Sequence, residues 1–304
     1  MEKTFETLGG VRLSVEIHAG LVVVIAGAVD RTVVSLVADK PGAEELVERA
    51  TVECRPSGSN HIVEVKLPRV YGMRLLRSNS VTVRVEVPEG AEVAVATASA
   101  DVEINGLVSD VDFKTASGNA SIDDVAADVT TKTASGNVTI GRVGGDIRAS
   151  TVSGDLRCSS VAGGAHFSAT SGDLELGAAG RRVEVKATSG QVRLGELAAG
   201  ADVKNVSGNV RVLALGEGRL KVRSVSGDIT VGVVKGVALH VDVETTSGVV
   251  YSDIPLTDAP DGDGGDGGGG DGTGGEVRPG ARVDLSVRSV SGNVDIGRAL
   301  EQVA

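Results

Sequence analysis

The sequence predicts an all-β protein, a single-stranded parallel β-helix (β-solenoid) of 18-residue rungs with a β-rich N-terminal capping region. Seven serines, from Ser99 to Ser207, follow one another at intervals of 18 residues. Apolar and polar residues alternate on both sides of each serine. The chain is rich in small side chains, with 43 Gly residues, and only 2% of its residues are aromatic. A strict short period is typical of a solenoid, in which each turn buries its apolar side only by stacking on its neighbours.

Each rung is expected to contain two short strands that meet at the serine. If the serine is position 0, apolar residues fall at positions −6, −4 and −2 and again at +3, +5 and +8. Around Ser189 these positions hold Val183, Val185, Ala187, Val192, Leu194 and Leu197. A period of two places every second side chain of a strand on one face, so these residues should fill the interior.

A Ser-Gly pair marks the corner between the two strands of a rung. Glycine adopts positive φ without the steric clash that other residues suffer, so it suits a sharp bend. The first corner, Ser99-Ala100, lacks the glycine and is expected at an end of the stack. Asn or Asp follows most serines at position +2, where amide side chains are expected to bond along the stack. The regular structural corners are predicted at Ser117, Gly118, Ser135, Gly136, Ser153, Gly154, Ser171, Gly172, Ser189, Gly190, Ser207 and Gly208.

Two regions are expected in the chain. Residues 1–90 keep β patterning without the 18-residue register and include one short helix within residues 39–49, so they are interpreted as a cap over the first rung. Residues 91–304 hold the repeats. The last rung is expected around Ser291, with residues 297–304 folded over it as a short plug.

A flexible Asp/Gly-rich insertion at about 257–280 is expected to interrupt the repeats. Between Asp258 and Glu276 it carries six acids and no base. Three of its aspartates are spaced somewhat like calcium ligands, but the closing Glu of an EF-hand-like loop is missing. A solvated linker is therefore the preferred interpretation, and cation binding stays open.

Charge and hydropathy limit the possible partners. The formal net charge of −11 disfavours nucleic acid, which needs a concentrated basic surface. The longest apolar run, residues 21–29, is shorter than the roughly 20 residues of a membrane helix, so no membrane insertion is expected. The first residues lack the pattern of a secretory signal, and the expected location is the cytoplasm. Cys54 and Cys158 are expected to be free thiols.

No catalytic, cofactor-binding or metal-binding residue is predicted. Catalytic and metal sites need convergent His, Cys or carboxylate side chains, and no such grouping is visible in the sequence. The four histidines are scattered without the spacing of metal ligands: His18, His61, His166 and His240.

One possible interaction feature is a basic stripe at the outward position −3. It is formed on successive rungs by Lys186, Lys204 and Arg223, and earlier rungs carry Lys114 and Lys132 there. Acidic residues at position −5 lie alongside and could neutralise the stripe. Two interpretations therefore stay open, a surface for an anionic partner and ordinary charge-paired solubility, of which the second is preferred.

The repeat carries a likeness to a known family. Residues 133–140 read Thr-Ala-Ser-Gly-Asn-Val-Thr-Ile, and residues 87–90 read Val-Pro-Glu-Gly. With the strand-rich start, these segments resemble the bacterial putative-adhesin family of β-strand-repeat proteins, a domain of unknown function. The resemblance covers nearly the whole chain apart from the insertion. It implies a single-stranded β-helix and an adhesin-like role, and it brings no catalytic residues.

We therefore expect a non-enzymatic scaffold or protein-interaction module, adhesin-like by resemblance, with an unknown protein partner and no cofactor. The alternative is a self-assembling structural protein similar to bactofilins, whose short β-helices polymerise end to end, so self-association stays open. An enzyme acting on acidic polysaccharides would need aromatic platforms for sugar rings, and this chain has few aromatic residues.

Overall fold

The structure is a computed structural model that describes residues 1–68, 80–254 and 282–299. The chain divides into two compact units, Met1–Gly177 and Ala178–Ala304, here called unit 1 and unit 2. Unit 1 contains one helix, α1 (Glu44–Glu48), and the strands β1 (Glu2–Glu6), β2 (Val11–Gly27), β3 (Arg31–Ala38), β4 (Thr51–Ser57), β5 (Asn60–Lys66), β6 (Val81–Pro88), β7 (Glu92–Val108), β8 (Val111–Thr115), β9 (Ala120–Val125), β10 (Val129–Ser135), β11 (Val138–Val143), β12 (Ile147–Ser153), β13 (Leu156–Val161), β14 (Ala165–Ser171) and β15 (Leu174–Ala179), which the unit boundary crosses. Unit 2 contains β16 (Val183–Ser189), β17 (Val192–Leu197), β18 (Gly200–Ser207), β19 (Val210–Leu215), β20 (Gly218–Ser226), β21 (Ile229–Val233), β22 (Ala238–Ser247), β23 (Val250–Ser252), β24 (Arg282–Ser291) and β25 (Val294–Arg298).

Strands of successive rungs pair in parallel within each unit. In unit 1, β10 pairs with β12 so that each residue lies opposite the one 18 positions later, as Ser135 lies opposite Ser153. In unit 2, β16 pairs with β18 in the same way, with Ser189 opposite Ser207. The second strands of the rungs do likewise. The predicted all-β parallel β-helix is therefore confirmed, and the sequence period is the advance from one rung to the next.

The two units fill the interior at position −4 differently. In unit 1, this position holds side chains of different size on successive paired rungs, with two small residues between two phenylalanines: Phe113, Thr131, Ala149 and Phe167. In unit 2 the same position is uniformly valine: Val185, Val203, Val222 and Val287. All eight side chains are buried. The interior at this position therefore accepts either side chains of different size or a uniform row of valines.

The parallel stack in unit 1 begins earlier than the sequence suggested. β2 pairs in parallel with β7 over nearly its whole length, which makes residues 11–27 a rung of their own. Gly20, at φ 128°, lies opposite Ala100 and supplies the bend of this rung. The expectation that the Ser99 corner lies at an end of the stack is wrong, because the β2 rung lies beyond it.

The rest of the N-terminal region covers the outer edge of β2. β5 and β6 pair with this edge in parallel, and β1, β3 and β4 add antiparallel pairs to them. The short helix α1 forms inside the segment where a helix was expected, residues 39–49. Across the described residues, no helix is both long and apolar enough to span a membrane.

The rungs of unit 2 do not stack in chain order. β20 pairs with β24, and β24 pairs with β22, so the Ser291 rung lies between the Ser226 and Ser247 rungs. β25 likewise lies between β21 and β23. The expectation that the Ser291 rung closes the stack is therefore wrong, because strand pairing follows register and burial and is only usually sequential. The expected insertion at 257–280 and the last five residues of the expected plug lie outside the described residues.

Candidate interaction surface

The serine corners align in rows within each unit. In unit 1, Ser153 lies opposite both Ser135 and Ser171. In unit 2 the paired corners follow one another in the spatial order Ser189, Ser207, Ser226, Ser291 and Ser247. The corner glycines with positive φ include Gly136, Gly154, Gly172, Gly190 and Gly208.

Gly118 is an exception among the predicted corner glycines, because its φ is not positive. A Cβ atom at Gly118 would nevertheless collide with the backbone oxygen of Ala100 on the neighbouring rung. The N–H of Gly118 donates to Thr115 Oγ1 at 2.9 Å, and Ser117 Oγ donates to the Ala98 oxygen at 3.4 Å. Close backbone approach, and not a left-handed conformation, is therefore what requires glycine at this corner.

Asn and Asp at position +2 bond to backbone groups of the next rung. The N–H of Asn137 donates to Asn119 Oδ1 at 3.0 Å, and the N–H of Asp155 donates to Asn137 Oδ1 at 2.9 Å. In unit 2 the N–H of Asn293 donates to Asp228 Oδ1 at 2.9 Å. The expected row of bonded amide side chains is thus mainly a row of side-chain oxygens that accept from the backbone. Asn and Asp both carry this oxygen, which explains why they interchange.

Outward side chains at positions −3 and −1 of three strands in unit 2 form what we call the cation–valine face. β18, β20 and β24 are paired in that order, so equivalent side chains lie about 4.8 Å apart from rung to rung. The face comprises one row of cations and one row of valines: Lys204, Arg223, Arg288, Val206, Val225 and Val290. The valines are 48%, 49% and 52% exposed in that order, so the face presents apolar area beside positive charge.

The two central cations of the face form no ion pair within the part of the chain that the structure describes. Lys186, on the flanking strand β16, pairs with Glu184 at 2.9 Å. At the other side Arg288 pairs with Glu244 at 3.6 Å. Between them, Lys204 and Arg223 are exposed and make no ion pair with another described residue. Two adjacent cations therefore remain available to an anionic group.

Some exposed cations of unit 1 pair with a carboxylate of their own or the neighbouring rung. Lys114, part of the predicted stripe, pairs with Asp112 at 2.7 Å. Arg142 makes two bonds to Asp124, at 3.0 and 2.6 Å, and this guanidinium holds the pKa of the Asp124 carboxyl below its usual value. Charge pairing thus accounts for Lys114 and Arg142, whereas Lys132 of the predicted stripe, like Lys204 and Arg223, makes no ion pair with another described residue.

Two grooves lie elsewhere on the units. One in unit 1, of about 810 Å³, has a floor of small side chains, with Lys114 and Lys132 beside it: Ala98, Ala116, Ala134, Thr115 and Thr133. One in unit 2, of about 560 Å³, lies beside Leu197, Val234 and Lys235. In the described part of the chain, no group of three or more His, Cys, Asp or Glu side chains could hold a metal ion.

The two cysteines are free thiols. Cys158 is only 3% exposed, and its burial raises the pKa of the thiol to about 12. Cys54 is half-buried, and desolvation raises its pKa as well. Because the thiolate is the nucleophile, these shifts suit a structural and not a catalytic role.

The structure adds one residue to the predicted stripe. Lys186, Lys204 and Arg223 do lie at equivalent positions of paired strands. Arg288 continues the row directly beside Arg223. Arg288 lies three residues before its corner serine, Ser291, as Arg223 does before Ser226. The sequence does not show that the two arginines are neighbours, because they are 65 positions apart.

Comparison with known proteins gives one family and several distant structures. In each of three solved structures, the match covers almost the full length of both this chain and the compared chain. The putative cell adhesion protein of Clostridium sporogenes is 8% identical, with 98% of this chain and 99% of that chain covered and a TM-score of 0.24. The putative adhesins of Parabacteroides distasonis and Bacteroides fragilis are 11% and 10% identical, each with 97% and 96% of the two chains covered, and have TM-scores of 0.36 and 0.37. These TM-scores are too low for the likeness to bear on fold or function. The comparison with curated proteins returns no match.

The family comparison is decisive where the individual structures are not. The sequence model of Toastrack DUF4097 matches residues 51–196 and 127–297, which together span most of the chain and both units. The matched ranges overlap, as expected for a repeat that can be aligned in more than one register. This confirms the resemblance that the Ser-Gly repeats indicated, and the chain belongs to the Toastrack DUF4097 family, a putative-adhesin family of unknown function.

Proposed function

We propose that this protein is a non-enzymatic binding scaffold whose cation–valine face takes an acidic segment of a partner protein. The observation that carries the proposal is a pair of exposed cations, Lys204 and Arg223, beside three half-exposed valines. Neither cation makes an ion pair with another described residue. The β-helix supplies a rigid base for them, since every strand of the face is paired on both sides.

The chemistry of the face selects for a mixed anionic and apolar ligand. The cation row and the valine row are two residues apart along each strand, which corresponds to about 6.6 to 7 Å. A partner segment that alternates carboxylates with apolar side chains would satisfy both rows at once. Apolar contact stabilises by roughly 25 cal/mol per Å² of buried apolar area, and the cations add orientation and partner choice.

Selection from a library of displayed random peptides, with the full chain immobilised, tests this proposal. We expect enriched peptides to combine Asp or Glu with Val, Leu or Ile. A synthetic consensus peptide should then bind in calorimetry with an affinity that falls as salt is raised, because exposed charges are screened.

Two double variants provide the comparison. Lys204→Glu/Arg223→Glu should weaken the consensus peptide by about tenfold or more, equivalent to about 1.4 kcal/mol. The matched control, Lys132→Glu/Arg148→Glu, makes the same charge change in unit 1 and should leave binding unaltered. Equal binding to both variants, or stronger binding of a DNA duplex than of any peptide, would refute the proposed face.

A further inference from the structure

The outermost rung of unit 2 leaves one side of the stack unpaired among the described residues. β22 pairs with β24 and β23 pairs with β25, and no described strand pairs with their other edges. An edge of this kind presents a row of free backbone N–H and C=O groups that can accept a further strand. The unpaired edge of β22 and β23 is here called the open edge.

The interior of the β-helix is exposed at the open edge. Val250 occupies the inward position +3 and is 41% exposed, whereas Val294 and Ile229, at the same position of the two rungs below, are 0% and 1% exposed. Leu239, Val241 and Val243 on β22 point inward as well and are only half-buried. A further strand with apolar side chains at alternate positions would complete their burial.

The outward side chains of β22 give the added strand a preferred charge. Asp242 makes no ion pair with another described residue, and the Glu244 side chain is 72% exposed although it pairs with Arg288. On an added rung, the outward positions next to these carboxylates favour Lys or Arg, because opposite charges on neighbouring strands stabilise a sheet and like charges destabilise it. Val249 and Tyr251, 50% and 59% exposed, widen the apolar contact.

We propose that the open edge is a second binding site, at which a partner adds a β-strand of alternating apolar and basic residues. This site lies beside the cation–valine face, with which it shares the ion pair between Arg288 and Glu244, and it takes a ligand of opposite charge. A second copy of the open edge fits poorly, because both copies would bring Asp242 and Glu244 to the contact. The insertion at 257–280 has no apolar alternation by sequence and carries a single basic residue, Arg278, so it does not match the strand that the open edge requires.

Peptides taken from the chain itself can test the site by fluorescence anisotropy with the full chain. The first has the sequence of β20, Gly-Arg-Leu-Lys-Val-Arg-Ser-Val-Ser, which alternates apolar with basic residues. The second has the sequence of β22, Ala-Leu-His-Val-Asp-Val-Glu-Thr-Thr-Ser, which alternates apolar with acidic residues. The third is a scrambled β20 peptide that keeps the charge and loses the alternation.

We expect saturable binding of the β20 peptide and at least about tenfold weaker binding of the other two. The variant Asp242→Lys/Glu244→Lys should reverse the preference between the two charged peptides. The variant Glu89→Lys/Glu217→Lys, which makes the same charge change at exposed turns, should not. Hydrogen exchange should show new protection in residues 238–252 when the β20 peptide is bound.

Three results would overturn the proposal. Equal binding of the β20 and scrambled peptides would show attraction to an acidic protein without strand addition. Binding that appears only after deletion of residues 258–276 would show that this segment occupies the edge in the full chain. Concentration-dependent dimers that Asp242→Lys/Glu244→Lys abolishes would assign the edge to a second copy.

Discussion

The β2 rung of unit 1 and the β22–β23 rung of unit 2 follow the same inward alternation but end in different surroundings. The β2 rung is paired on both edges, and its inward residues Leu13, Val15 and Ile17 are 0%, 1% and 2% exposed. In the β22–β23 rung the corresponding side chains are half-buried or exposed. A rung therefore reaches full burial only when a strand covers each edge, whatever the quality of its own pattern.

The closed rung also shows what covering an edge requires. Between β2 and β7 the chain forms no rung of its own, and the described part of this segment supplies β5 and β6 as edge partners of β2. These strands carry their own apolar faces, as the complete burial of Val63, Val65, Val83 and Val85 shows. The two rungs thus differ in whether strands cover both of their edges. The predictions below test how much such covering strands add to burial and stability.

The largest expected effect is on the rate of thiol labelling. Because burial raises the pKa of Cys158 to about 12, only about one molecule in 10⁴ carries the thiolate at pH 8. Val250→Cys introduces a cysteine at the partly exposed inward position +3 of the β22–β23 rung, and this thiol should react about 10³-fold faster than Cys158. Labelling with a disulfide reagent in a Cys54→Ser background measures both rates, and that of Cys158 should rise about tenfold per pH unit while the fold persists. Similar rates at pH 8 would mean that the two interiors are equally accessible.

Leucine truncation should separate the rungs by their stability. Leu13→Ala removes a fully buried side chain from the closed rung and should cost about 2 to 5 kcal/mol of unfolding free energy. Leu239→Ala removes a half-buried one and should cost about 1 kcal/mol or less, because the site already meets solvent. Urea unfolding monitored by far-UV circular dichroism gives both values. Equal costs would contradict the difference in burial.

The corner glycines should matter equally in both rungs. Gly20 and Gly248 have φ of 128° and 147°, and a Cβ at either would collide with backbone of the paired strand. Gly20→Ala and Gly248→Ala should therefore each cost about 1 to 3 kcal/mol. Gly58→Ala, at positive φ but with open space around the new Cβ, is the control and should cost less. A much smaller cost at Gly248 than at Gly20 would show that the open rung relaxes around the substitution.

The smallest expected effect concerns the side-chain acceptors at position +2. Asn137→Ala in unit 1 leaves the N–H of Asp155 without its acceptor, and Asn293→Ala in unit 2 does the same to the N–H of Val249, which donates to Asn293 Oδ1 at 3.0 Å. Each change should cost about 1 kcal/mol. The matched variants Asn137→Asp and Asn293→Asp keep the accepting oxygen and should be close to neutral. Thermal unfolding of the four variants checks this. An equal loss of stability in the Asp and Ala variants would show that the hydrogen bond to this oxygen does not stabilise the fold.

The rung and its corners could be predicted from the sequence because both are local. Alternation at fixed offsets from a serine decides which side chains face inward, and a glycine that follows it decides where the chain bends. The β2 rung carried the same signal, since Leu13, Val15 and Ile17 precede Ala19-Gly20 at the offsets of the repeat. The 18-residue period does not reveal this rung, because more than 60 residues separate β2 from the next rung along the chain.

The candidate surface was predictable only in part. Lys204 and Arg223 could be placed on one row from their offsets. That neither makes an ion pair with another described residue could not be foreseen, because pairing depends on side-chain positions across neighbouring rungs. Arg288 and Val290 joined the face only when the position of β24 was known, and the exposure of all three valines required the tertiary structure. The open edge has no local sequence signal, because the pattern of β22 is that of any other rung.

The sequence by itself determined the unit of construction, namely an 18-residue turn with an apolar inner side and a glycine corner. The tertiary structure alone decided which turns are neighbours, so that the Ser291 rung lies between two earlier ones and the Ser247 rung is left outermost. The physical reason is that hydrogen bonding and burial act between strands in space, and any rung with the matching register can serve as the neighbour of another.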